Sequence, residues 1–235
     1  MIYKNIVEGV FIKRPNRFIA HVSIDGREEI AHVKNTGRCK ELLVEGAKIL
    51  LEDHTGDSSR KTKYSVISVW KGDMLVNIDS QVPNEVVFNA LISGRIEGFE
   101  DIKYIKREVT FGNSRYDIYF ETSEEKGFIE VKGVTLENNS IAAFPDAPTE
   151  RGTKHVLEMI EAVKKGYKGY IFFLIQMNGP RKFRLNWEMD PSFSKAVKLA
   201  SENNIKILAY DSIVSFNEIK IGKPIDIDLS SKFTY

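Results

Sequence analysis

The chain has 235 residues, 42% hydrophobic and 29% charged, enough for a full core in one large or two modest domains and ordinary for a soluble globular protein. Thirty-four Lys and Arg stand against 33 Asp and Glu, a net charge of +1 that differs little between the two halves, so nucleic-acid binding through bulk positive charge is excluded and only local patches could supply it. A single cysteine, Cys39, excludes an internal disulfide and fits a reducing cytoplasm, while the first residues lack the apolar region of a signal peptide and no apolar run reaches membrane-spanning length.

The first part reads as closely spaced short strands: Ile6 to Arg14, Arg17 to Ile24, Glu29 to Val33, Lys48 to Glu52, Tyr64 to Trp70 and Met74 to Asn77. Arg14-Pro15-Asn16, Asp25-Gly26, Asn35-Thr36-Gly37 and Lys71-Gly72-Asp73 supply the turns between them. This spacing predicts a small barrel. Three basic groups fall at or near its loops: Lys13, Arg14 and Arg17; Lys34, Arg38 and Lys40; Arg60, Lys61 and Lys63. Brought together, they would track phosphates, with Phe18, Tyr64 or Trp70 available to stack on bases. The plainer expectation gives these aromatics to the core and the charges to solubility.

Gln81-Val82-Pro83 marks a boundary that divides residues 1–81 from residues 82–235. Asn84 is expected to cap a helix running to about Ile96 with Val86, Val87, Ala90 and Leu91 buried. Glu85 or Glu97 could reach a metal from it, though solvation is the simpler expectation. Three strands follow around Lys106 to Phe111, Tyr116 to Glu121 and Gly127 to Val134.

The second and third of these carry chemistry. Alternate strand residues share a face, so Ile118 and Phe120 oppose Asp117 and Tyr119, and Ile129 and Val131 oppose Glu130 and Lys132. Adjacent strands would then present Asp117, Glu130 and Lys132 together. Two carboxylates suit a hard cation such as Mg²⁺ (or Mn²⁺) whose shell is completed by substrate phosphate, and a lysine beside it can stabilise phosphate charge or orient water. A solvated strand face or a cross-strand salt bridge would give the same three residues.

Phe144-Pro145-Asp146-Ala147-Pro148-Thr149 then leads into an amphipathic helix from about Glu150 to Lys165, with Val156, Met159, Ile160 and Val163 as its buried stripe and Gly166 near its end. Asp146 or Thr149 could cap it, and its free N–H groups beside Arg151, Lys154 and His155 make an anion site. The apolar strand Gly169 to Gln176, a helix near Ser192 to Asn203 and the strand Ile205 to Tyr210 complete the order, with Gln176 a candidate for the site edge. The order helix, three strands, helix, strand matches a restriction-endonuclease-like core extended by one helix and strand. No P-loop, Rossmann fingerprint, zinc spacing or internal repeat is present.

Arg14-Pro15-Asn16-Arg17-Phe18, His32 to Arg38, Glu41-Leu42-Leu43, Glu130-Val131-Lys132, Phe144 to Ala147, Arg151-Gly152 and Lys154-His155 together resemble the sugar fermentation stimulation protein A family over essentially the whole chain. That family is described as DNA-binding, with a PD-(D/E)XK nuclease-like domain. The resemblance implies an α+β chain: an N-terminal OB-like β-barrel followed by a restriction-endonuclease-like mixed-sheet domain. It implies Asp117 and Glu130 as metal ligands and Lys132 as the motif lysine, with Tyr116 standing where the superfamily label has proline. Nucleic-acid contact is expected from Arg14, Arg17, Lys34, Arg38, Arg60, Lys61, Arg151 and Lys154. Three functions remain open: a Mg²⁺-dependent nuclease acting on DNA, a non-catalytic DNA-binding regulator of sugar-metabolism (maltose) genes, and an RNA-processing nuclease.

Overall fold

The computed structural model describes residues 1–35 and 37–233. Thr36, in the expected turn Asn35-Thr36-Gly37, lies outside them. Strands β1 (Ile6–Asn16), β2 (Ile19–Ile24), β3 (Arg27–Val33), β4 (Lys48–Asp53) and β5 (Tyr64–Lys71) run in the order β3-β2-β1-β4-β5, and a parallel pairing of β3 with β5 closes them into a five-stranded barrel of the OB type. Buried apolar residues fill the interior of this closed sheet, alternating in β2 and running consecutively in β4 and β5. In β2, Ala20, Val22 and Ile24 are buried while their neighbours are not, and Phe11, Ala31, Val33, Leu51, Val66 and Val69 complete the interior. Gly9 matters here because a Cβ would come within 2.9 Å of Leu51 Cδ1 and 3.0 Å of the Ser23 carbonyl. β6 (Met74–Asn77) extends the sheet from β5.

After α1 (Val82–Ile92) come β7 (Tyr104–Phe111), β8 (Ser114–Glu121), β9 (Lys126–Val134), β10 (Leu136–Asn138), β11 (Ile141–Phe144), α2 (Glu150–Lys164), β12 (Lys168–Ile175), β13 (Lys182–Leu185), α3 (Pro191–Glu202), β14 (Ile205–Val214), β15 (Ile219–Pro224) and β16 (Asp226–Asp228). Six of these strands form a mixed sheet of order β15-β14-β12-β9-β8-β7, with β9, β12 and β14 parallel at its centre. β12 is buried over Gly169 to Ile175 because both sheet faces are covered. Val86, Val87, Ala90 and Leu91 of α1 cover the face bearing Ile118, Ile129 and Phe172. Val156, Met159 and Ile160 of α2, with Phe193 and Val197 of α3, cover the face bearing Phe128, Ile171 and Phe173. The remaining strands, in the order β10-β11-β13-β16, make a small second sheet.

Barrel and mixed sheet share their cores. Both hydrophobic clusters cross the junction, one from Val22 and Val66 to Val156 and Phe173, the other from Leu50 and Ile67 to Val86 and Phe172. A buried polar seam runs alongside. Asn77 N–H donates to the Gln176 carbonyl at 2.8 Å, and Gln176 Nε2 donates to Asn77 Oδ1 at 2.9 Å and to the Asp79 carbonyl at 3.0 Å.

Several details differ from the sequence expectation. Helix α1 starts at Val82 with Gln81 as its N-cap, so Asn84 sits inside the first turn, and it ends at Ile92 rather than Ile96. Pro83 explains the earlier start, since proline suits the first helical positions, where no N–H donor is required. Phe18 and Trp70, read as core, are 49% and 38% exposed, while Tyr64 packs against the core as expected. β10, β11, β13 and β16 were not anticipated because three or four residues are too few to show a period. β15 was missed although it is six residues long, because its interior Gly222 and terminal Pro224 break the pattern.

Gln176 is 1% exposed, so truncating it removes two buried hydrogen bonds, those to Asn77 Oδ1 and to the Asp79 carbonyl. Gln176→Ala is expected to cost about 1–3 kcal/mol, read as a lower melting temperature. An unchanged melt would show that the seam does not hold the barrel against the sheet.

Candidate metal centre and adjoining cleft

The ladder between β8 and β9 registers Ile118 with Ile129, and Asp117 and Glu130 are the next residues along each strand. There the main-chain pairing gives way to side-chain bonds. Asp117 Oδ2 accepts the Val131 N–H at 2.8 Å, and Oδ1 accepts Asn84 Nδ2 at 2.7 Å. Glu130 is 3% exposed, and its Oε1 accepts both Lys132 Nζ at 2.6 Å and His155 Nδ1 at 2.8 Å. Arg151 Nε lies 3.5 Å from His155 Nε2. Because an arginine Nε can only donate, Nε2 is the acceptor and Nδ1 carries the proton offered to Glu130.

The electrostatics follow from burial. Desolvation, and next the charge of Glu130, push the Asp117 carboxyl up to about 6, with Lys132 and the two N–H donors opposing the rise. Burial also acts to raise Glu130, but Lys132 and His155 more than offset it and leave that carboxyl below its usual range. Glu130 Oε2 is buried and has no hydrogen-bond partner among the described residues.

That bare oxygen decides whether a cation fits. A carboxylate oxygen has two lone pairs, so each Asp117 oxygen keeps one free, and Glu130 Oε2 keeps both. An all-oxygen donor set suits Mg²⁺, Mn²⁺ or Ca²⁺. Among the described residues no group of three His, Cys, Asp or Glu side chains could hold a metal alone. Two carboxylates with water and phosphate as further ligands are a common arrangement for Mg²⁺.

The structure therefore brings Asp117, Glu130 and Lys132 together, and adds Asn84 and His155 as the groups that orient the two carboxylates. Sequence alone assigns Asn84 to a helix cap and places His155 only near the site. Its position four residues after Arg151 on one helix was the available signal. Glu97 lies instead beside Tyr210.

A cleft of about 880 Å³ opens between the barrel and the start of α2. Arg14, Arg17, Arg38 and Lys40 line one side, Phe144, Asp146 and Thr149 the other, with Gly133 and Gln176 also in its wall, while Asp117, Glu130 and Lys132 do not line it. Thr149 caps α2, its Oγ1 accepting the Gly152 N–H at 3.2 Å. Asp146, the other candidate cap, instead accepts the Arg38 N–H at 3.1 Å, joining the two walls.

The expected phosphate-binding residues occupy different surroundings. Arg17, Arg38, Lys61, Arg151 and Lys154 are exposed, with Lys154 Nζ 3.7 Å from Glu158. Lys34 is held by Asp79 at 3.3 Å and Glu52 at 3.7 Å, and Arg60 donates to Ser65 Oγ at 2.8 Å. The Arg14 guanidinium donates to four carbonyls: Arg17 at 2.6 Å, Asn35 at 2.7 Å, Arg38 at 2.9 Å and Gly37 at 3.1 Å.

Arg14 thus ties two barrel loops together. Arg14→Ala leaves those acceptors without their charged donor and is expected to lower the melting temperature, by about 1–3 kcal/mol of stability, whereas exposed Arg17→Ala stays within about 0.5 kcal/mol of wild type. Equal melts for both variants would contradict the clamp.

Comparison with known proteins agrees with this architecture in both parts. A family model described as the SfsA N-terminal OB domain matches residues 12–78, and one described as the sugar fermentation stimulation protein RE domain matches residues 81–218. The sugar fermentation stimulation protein homolog of Alkaliphilus oremlandii is 62% identical over 232 residues, covering 97% of this chain and 99% of that protein. Its counterpart in Clostridium botulinum strain Langeland is 50% identical over 231 residues, covering 97% and 99%. The structure of Pyrococcus furiosus SfsA in complex with Ca²⁺ matches with a TM-score of 0.88 at 27% identity, covering 97% of this chain and 98% of that one. With both domain models matched in sequence and the barrel and mixed sheet matched in space, the chain belongs to the sugar fermentation stimulation protein family.

Proposed function

We propose that this protein hydrolyses phosphodiester bonds in nucleic acid, DNA in the first instance, using a divalent metal held by Asp117 and Glu130. In this reading residues 1–81 hold the substrate and residues 82–235 cut it. The observation that carries the proposal is the buried, unpartnered Glu130 Oε2 beside a second carboxylate and a lysine. The Ca²⁺ complex of the Pyrococcus furiosus relative supports it, because Ca²⁺ seeks the same oxygen ligands as Mg²⁺.

When bound, Mg²⁺ or Mn²⁺ supplies Lewis-acid stabilisation of charge on the phosphate. The chain's own groups do the rest. His155 keeps Glu130 Oε1 occupied, so that Oε2 remains the free ligand. Asn84 and the Val131 N–H fix the plane of Asp117. The Lys132 ammonium rests on Glu130 Oε1 and can turn to a phosphate oxygen, where it stabilises the charge that develops during attack by water. Arg151 and Lys154 at the start of α2 attract the strand.

Cleavage is tested with labelled single- and double-stranded DNA and RNA, incubated with Mg²⁺ or Mn²⁺ and with chelator. Metal-dependent products are expected, and Lys132→Ala should lower turnover about 10²–10³-fold while leaving affinity nearly unchanged, as for loss of a transition-state donor. Binding without cleavage of any substrate would instead favour the non-catalytic regulator.

Metal binding has its own readouts. Divalent metal at a hundred times its dissociation constant should stabilise the folded chain by about 2.7 kcal/mol. The double substitution Asp117→Asn and Glu130→Gln should abolish that gain. Equal stabilisation of wild type and double mutant would place the metal elsewhere.

The raised Asp117 carboxyl fixes the sign of a pH effect. Its ordinary value is 3.8 and its folded value about 6, so between these the folded chain binds more protons than the unfolded chain. The stability of the metal-free protein therefore falls as pH rises through this window, and levels off above it. Metal affinity should move the opposite way, growing as Asp117 ionises. Asp117→Asn should remove this component of the stability slope, and an unaltered slope would contradict the assignment.

A further inference from the structure

We propose that the substrate enters as a single strand lying in the cleft between the barrel and α2, and that an intact duplex does not reach the carboxylates. This rests on the proposed phosphodiesterase reading of Asp117, Glu130 and Lys132.

Depth is the first argument. Glu130 is 3% exposed, and the Lys132 side chain only 16%. A phosphate must come to them, because they do not project toward it. The duplex is stiff over about 50 nm, so carrying one of its phosphates into a recess requires local bending or unstacking. A single strand rotates freely at each nucleotide and meets no such cost.

Size and lining agree. The cleft of about 880 Å³ lies within the range of about 300–1,000 Å³ typical of small-molecule sites, room for a few nucleotides. A duplex, whose major groove alone is about 12 Å wide, is far too large. The cleft offers cations at Arg17, Arg38 and Lys40 and an aromatic at Phe144. Phe18, in the same turn as Arg17, is 49% exposed. Paired cations and aromatic faces are what a strand with unstacked bases can use, whereas a duplex hides its base faces.

Continuity links cleft and chemistry. Thr149 lines the cleft and caps α2, and six residues on, about 9 Å at 1.5 Å per residue, His155 holds Glu130. On β9, Gly133 in the cleft directly follows Lys132. A strand resting on Arg17 and Arg38 can therefore pass Arg151 and present its next phosphate to the carboxylates. The four carbonyl bonds of Arg14 and the Arg38–Asp146 bond hold these walls in place before any strand arrives.

The test is fluorescence anisotropy on the full chain at fixed salt with chelator present, using oligo-dT, oligo-U and a blunt duplex of equal length. At least one of the single strands should bind ten-fold or more tighter than the duplex, and comparison of oligo-dT with oligo-U tells DNA from RNA. Phe18→Ala should weaken single-strand binding at least five-fold. The double variant Arg17→Ala, Arg38→Ala should flatten the logarithmic salt slope by about 1.4, or 0.7 per lost cation. Duplex binding as tight as the tighter-binding single strand, or variants with unchanged affinity and slope, would overturn the inference. A duplex preference accompanied by metal-dependent cleavage would overturn it while leaving the phosphodiesterase reading intact. A single-strand preference with no cleavage of any substrate would support it and remove the catalytic reading.

Discussion

A glutamate buried with one oxygen bonded twice and the other not at all is the constraint on which the proposed chemistry depends. Taking an ionised carboxylate out of water is costly unless it is paired and hydrogen-bonded. Lys132 and His155 offset that cost at Oε1 and hold the carboxyl below its ordinary range. Oε2 receives no hydrogen bond among the described residues, and Asp117 close by is pushed up to about 6. The pair is therefore one positive charge short of balance. A divalent cation would more than supply that charge, and the surplus would free Lys132 to turn from Glu130 toward an approaching phosphate. The folded scaffold serves this arrangement from three directions: β9 carries Glu130 and Lys132, α1 brings Asn84, and α2 brings His155 with Arg151 behind it.

The barrel's share in the site is mechanical as well as electrostatic. Arg14 spends its terminal nitrogens on main-chain carbonyls, so the loop holding Arg38 and the turn holding Arg17 are fixed relative to one another. Asp146 fixes that loop to the segment leading into α2, and Gly37 is required there because a Cβ would fall 2.4 Å from Asp146 Oδ2. The Asn77–Gln176 seam and the shared cores oppose hinging between the two halves. A net charge of +1 is then no obstacle to a polyanionic substrate, because the cations are concentrated on one rigid wall.

Much of this could be read in the sequence. Period-two alternation exposed the barrel strands and paired Glu130 with Lys132, while period 3.6 exposed the buried faces of α1 and α2. Asp117 beside Glu130 followed from strand adjacency alone. What escaped was set by tertiary context. Asn84 looked like a cap because asparagine suits caps, yet its amide is spent across the fold on Asp117. Arg14 looked like a phosphate contact because exposed arginines in turns often are, but four carbonyls converge on it only once the loops have closed. The short strands of the second sheet carry too few residues for a pattern, and Phe18 lies half exposed in the turn between β1 and β2, outside any alternating run.

No third acidic or histidine ligand stands by among the described residues, so a cation here would rest on two carboxylates and leave several positions for water and phosphate. Such a site is selective for hard, well-hydrated cations and is completed by its substrate. The most direct measurement is a crystal structure of the protein soaked in Mn²⁺, with the ion located by its anomalous scattering. One strong peak is expected, bonded to Glu130 Oε2 and to an Asp117 oxygen, with the His155–Glu130 bond intact. A peak elsewhere, or Oε2 bonded to a protein donor and no ion beside it, would contradict it.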